Sequence, residues 1–146
     1  MKKNFRFIVY AGAAIAVLLA ACQPRASEPV FEQGWVRAMP PSSGMTAAYG
    51  ILHNGTASPV TLVSFASPAF GDVSLHRTEQ VDGVARMREV SSLTLQPGES
   101  AELQPGGLHL MLMMPTGPLQ VGDGVELDMT AADGRRFRFE VPVEQR

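Results

Sequence analysis

From residue 34 onwards the chain alternates short apolar runs with turn residues. Val, Leu, Phe, Thr and Met dominate the runs. The pattern predicts strands over 34–38, 47–53, 60–66, 73–79, 84–90, 101–104, 108–114, 125–131 and 137–143. Turn signals separate them, among them Asn54-Gly55, Asp82-Gly83, Pro97-Gly98, Pro105-Gly106-Gly107, Asp123-Gly124 and Asp133-Gly134. Within 125–131, Val125, Leu127 and Met129 fall on one face and Glu126, Asp128 and Thr130 on the other. No long segment shows helical periodicity, and no repeat is evident. Regular short strands at this spacing predict a single all-β domain, a sandwich or barrel.

The first residues break that pattern. Lys2, Lys3 and Arg6 introduce an apolar run over 7–21. The run is too short for a comfortable membrane span and has the length of a signal-peptide core. It ends in Leu19-Ala20-Ala21-Cys22, which resembles the lipobox of bacterial lipoproteins. The expectation is a lipoprotein-type signal peptide over 1–21 and a lipidated Cys22. A polar tether then completes 22–33, and one domain fills 34–146. The mature chain is expected on the periplasmic side of a bacterial membrane, held there by its lipid.

Charge and cysteine usage narrow the chemistry. Removing Lys2, Lys3 and Arg6 with the signal leaves nine basic residues against fourteen acidic ones. No lysine follows Lys3 and no basic run occurs, so a nucleic-acid partner is not expected. Cys22 is the only cysteine. That removes intrachain disulfides, thiolate zinc sites, thiol redox motifs and blue-copper sites. No Ser/His/Asp set, paired-carboxylate motif or phosphate-cradling glycine loop stands out, so an enzyme is not expected.

What remains is a soft donor set. Ten residues separate His76 from Met87, twenty-one separate Met87 from His109, and one separates His109 from Met111. Thioethers select Cu(I), and imidazole suits copper as well. A thioether needs no deprotonation and cannot be trapped as a disulfide outside the cytoplasm. In 108–114, His109, Met111 and Met113 share one face, and Leu108, Leu110 and Leu112 share the other. The leucines are the natural core side. His76 and Met87 flank a hairpin signal that leaves two registers open. A four-residue loop over 80–83 sets His76 opposite Met87. A two-residue Asp82-Gly83 loop sets Thr78 opposite Met87 and keeps a diagonal contact to His76.

Met113, on the same strand face, reads first as packing beside the site and Met45, in a Pro/Gly/Ser-rich stretch, as an exposed loop methionine; both are also candidate auxiliary donors. Met39, Met114 and Met129 read as packing, and Trp35 as core. His53 reads as a hairpin-end residue, and Arg86 and Arg88 as the solvated strand face opposite Met87.

At these residues the chain resembles the periplasmic copper chaperone family, PCuAC, whose signature is the same His-x10-Met-x21-His-x-Met spacing. The stretches 83–88, 105–113, 35–38 and 47–49 are similar to the family's as well, and the resemblance covers about residues 34–143. It implies a cupredoxin-like Greek-key β-sandwich or barrel with one exposed Cu(I) site at His76, Met87, His109 and Met111. It also implies delivery of copper towards the CuA or CuB centre of cytochrome c oxidase, with a Sco-type relay protein and an oxidase subunit as partners. Some members carry a His- and Met-rich C-terminal tail for a second copper. None follows here before Arg146, so one Cu(I) per chain is expected. The competing expectation is a copper buffer or resistance lipoprotein with no specific acceptor.

Overall fold

The computed structural model describes residues 28–40 and 42–146. The signal segment, Cys22 and the tether up to Ser27 lie outside the described residues. Ten strands follow one another: β1 (Val30–Arg37), β2 (Met45–His53), β3 (Val60–Ala66), β4 (Phe70–Val81), β5 (Val84–Glu89), β6 (Leu93–Leu95), β7 (Ser100–Leu103), β8 (Leu108–Pro115), β9 (Gly124–Ala131) and β10 (Arg136–Glu144). Among the described residues there is no helix. Nine strands match the expected segments. The tenth, β6, is a three-residue run that pairs with the edge of β3.

The sheet closes on itself. Its order β4-β8-β7-β2-β1-β10-β9-β3 returns to β4 through the Phe65–Val73 pairing, giving an eight-stranded barrel. The chain crosses from β2 to β3 on the far side of the barrel, as a Greek key requires. Closure leaves β5 and β6 as strands outside the ring. The barrel interior is the core that the alternation implied. Leu110, Leu112, Val125, Leu127 and Met129 are almost fully buried, while Glu126, Asp128 and Thr130 face outward.

Two local features set the outer face. β1 starts at Val30, so residues 30–33, expected in the tether, are part of the sheet. A β-bulge lies between Glu32 and Trp35, with Gln33 at φ 50°. One extra residue reverses the in–out phase of a strand. Phe31 therefore pairs with Leu52 on the inner side, whereas Trp35 pairs with Tyr49 on the outer side. Trp35 is buried, but it belongs to a small cluster with Ala47 and Tyr49 that is separate from the barrel core. The tryptophan is thus buried as expected, in a small second core cluster on the outer side of the sheet.

Candidate metal centre

The donors come from the outer face of β5, β4, β8 and β2, and strand register decides who meets whom. His76 is the direct partner of His109 across β4–β8, and Ser74 is the partner of Met111. On the other side of β8, Met111 faces Ala47 and Met113 faces Met45. The β4–β5 hairpin turns on Asp82 and Gly83, both with positive φ (53° and 76°), as a two-residue type I′ turn demands. Met87 therefore faces Thr78, and Glu89 faces His76. Of the two registers open in the sequence, the two-residue loop is the one formed, and His76 and Met87 are diagonal neighbours.

The imidazoles are close and differently held. Their ring centroids lie 6.1 Å apart at an interplanar angle of 28°. His109 is 4% exposed, and its Nδ1 lies 3.0 Å from the Gly107 carbonyl. A carbonyl only accepts, so Nδ1 donates and Nε2 is the nitrogen left with a lone pair. Gly107 is itself placed by the Pro105–Gly107 turn, and its carbonyl also accepts from the Thr78 amide at 3.0 Å. His76 is half-buried. Its Nε2 bonds the Ser74 hydroxyl at 2.9 Å, which leaves Nδ1 without a partner among the described residues.

Three of the four donors, His109, Met111 and Met87, line one open hollow of about 520 Å³, with Met45 on its wall. His76 lines an adjoining hollow of about 360 Å³ with Ser74, Glu89, Asp72 and Met113. The four are thus brought to one patch, divided between two hollows. Met87 is 51% exposed. Met111 is half-buried, with the small Ala47 and Ser74 as its direct cross-strand partners. Among the described residues no three His, Cys, Asp or Glu side chains group as metal ligands. The methionine thioethers on this face are soft neutral donors.

A family model described as "Putative lipoprotein LpqE-like" matches residues 30–143. The chain belongs to this LpqE-like family. A curated relative, "Putative lipoprotein Lxx21020" of Leifsonia xyli subsp. xyli (strain CTCB07), is 34% identical over 113 residues, 77% of this chain and 67% of that protein. Among solved structures, Cu(I)-DR1885 from Deinococcus radiodurans is 35% identical with a TM-score of 0.63, covering 86% of this chain and 82% of that one. Apo-DR1885 is 31% identical with a TM-score of 0.63, covering 100% and 95%. The apo PCuAC domain from PmoF1 is 20% identical with a TM-score of 0.67, covering 84% and 98%, a likeness that concerns the fold. The cupredoxin-like barrel expected from the sequence is the fold of this LpqE-like chain.

Several residues of the LpqE-like site were not singled out in the sequence. Ser74 and Thr78 lie two positions either side of His76, so the period of two could have found them. Tyr49 is a different case. It meets His109 at 6.3 Å between ring centroids and Trp35 at 4.8 Å, and Arg37 lies over its ring at 5.1 Å. The β2–β8 pairing brings Tyr49 beside His109, and the bulge in β1 sets Trp35 opposite Tyr49. His53, bonded to Ser100, lies away from the donors, at the end of β2, as expected. Met129 packs inside, but Met114, expected to pack, is 61% exposed. At φ 54° its backbone leaves the strand geometry that would have pointed it inward.

Proposed function

We propose that this LpqE-like chain is an extracytoplasmic carrier of Cu(I), a binding protein and not an enzyme. The observation that carries the reading is the cross-strand pairing of His76 with His109. Met111 stands one step along β8, and Met87 one step off on the outermost strand. Two imidazoles and two thioethers bring no negative charge. The ion keeps its positive charge and is held at a rim, in contact with solvent and within reach of an acceptor. Cu(I)-DR1885, at 35% identity, is a relative solved with that ion. One ion per chain is held tightly. His109 binds through Nε2, and His76 turns its free nitrogen towards the hollow that the other three donors line.

Anaerobic titration of the protein with Cu(I) against a chromophoric chelator tests the site, and X-ray absorption should show mixed nitrogen and sulfur scatterers. Unchanged affinity in a His76→Ala/Met111→Ala double variant would refute it. Beyond binding, the reading extends to lipid anchoring through Cys22 on the periplasmic side. It extends also to delivery towards the CuA or CuB centre of cytochrome c oxidase, through a Sco-type relay. Deleting the gene should then lower oxidase activity at ordinary copper, and added copper should restore it. If deletion instead raises copper sensitivity and leaves the oxidase intact, the protein is a copper buffer.

A further inference from the structure

Met45 and Met113 stand beside the four donors on the outer face, outside the barrel core. They are direct partners across β2–β8, so their Cβ atoms stand roughly 4.5–5.5 Å apart on the outer face. Met45 is 53% exposed, which a methionine that merely fills a gap would not be. It lines the hollow of His109, Met111 and Met87. Met113 lines the adjoining hollow of His76. The pair therefore spans the two hollows between which the four donors are divided. Met113 is two residues from Met111, about 7 Å along the same strand. Asp72, the partner of Met113 on β4, also lines the second hollow. Its carboxylate favours a cation held there by neutral sulfurs.

We propose that Met45 and Met113 form a second, weaker station for a soft monovalent ion, through which Cu(I) passes between the four-donor site and an acceptor. The proposal rests on the four-donor reading for its direction of traffic, but the station binds on its own. Two thioethers make a weaker set than two imidazoles and two thioethers. Met111 lies between the sites and can stay bound to the ion while the other ligands exchange. Copper remains Cu(I) throughout, so no electron is transferred.

Ag(I) is a redox-inert soft probe, and methionine methyl groups labelled with carbon-13 report each sulfur separately. In the full chain in detergent, the first equivalent of Ag(I) should shift the Met87 and Met111 methyls. A second, bound at least tenfold more weakly, should shift Met45 and Met113 and leave Met129 and Met114 in place. A Met45→Leu/Met113→Leu variant nearly conserves volume. It should lose the second step, keep the first, and release Cu(I) to a chelator several-fold more slowly. Met45 and Met113 methyls that stay still through the second equivalent, or an unchanged release rate in the double variant, overturn the station. Loss of the first step with the second intact would count against the four-donor site alone.

Discussion

His76 and His109 face each other across the β4–β8 ladder with ring centroids 6.1 Å apart, yet the fold depends on them unequally. His109 is buried at 4% exposure beside Tyr49 and the Gly107 carbonyl. His76 is half-exposed. Either alanine substitution removes an imidazole donor and should weaken Cu(I) binding more than about a hundredfold, since losing only an outer partner of a ligand already costs roughly 10–100-fold. The unloaded proteins should differ. His109→Ala leaves a cavity and should lose about 2 kcal/mol in urea unfolding, whereas His76→Ala should unfold close to the parent.

Ser74 touches no ion in this reading, but it holds Nε2 of His76 at 2.9 Å. Ser74→Ala removes that tether and frees the ring to rotate. Cu(I) affinity should change by up to about tenfold, with the unfolding midpoint almost unmoved because the position is partly exposed. Long-range proton–nitrogen correlation spectra should show the His76 Nε2 signal moving in the variant as its hydrogen bond is lost, while the His109 pattern stays fixed by Gly107. An unchanged His76 pattern would mean that the hydroxyl does not set the ring.

Strand parity was readable because side chains alternate with a period of two whatever the partner strand. That is why Leu108, Leu110 and Leu112 could be separated from His109, Met111 and Met113 before any pairing was known. Register was not readable in the same way. His76 meets His109 because β4 pairs with β8, a long-range pairing with no local signal. The bulge at Gln33 was hidden as well. The residue with positive φ is not a glycine, and its effect appears only where Trp35 joins Tyr49 in a second, smaller core cluster. Three residues were too few for β6 to show a period.

The bulge also creates a tight crossing at two glycines, with a measurable consequence. A Cβ on Gly50, whose φ is +152°, would sit 2.8 Å from the Phe31 ring and 2.9 Å from the Gly34 Cα. Gly50→Ala combines overpacking with an unfavourable backbone and should cost about 2–4 kcal/mol. Gly98, at φ +77°, has open space around it, so Gly98→Ala should cost only about 1 kcal/mol. Because β2 carries Tyr49 next to Gly50, the first variant should also move the His109 ring signals, and the second should not.

Arg77 and Arg88 are direct partners across β4–β5, on the face opposite Met87, and neither forms an ion pair among the described residues. Like charges directly opposed on a sheet are unfavourable, by up to about 1 kcal/mol relative to a matched pair. Arg88→Glu replaces repulsion with attraction and should raise stability by a few tenths of a kcal/mol in low salt. At 1 M salt the gain should vanish, since the screening length falls to about 3 Å. Affinity for Cu(I) should stay within about twofold, because alternation turns residue 88 away from the hollow that Met87 lines. Urea midpoints of both proteins at low and high salt measure the first two expectations, and the chelator competition measures the third. A gain that persists at high salt would point to a change in packing on β5, and the like-charge account of this hairpin would fall.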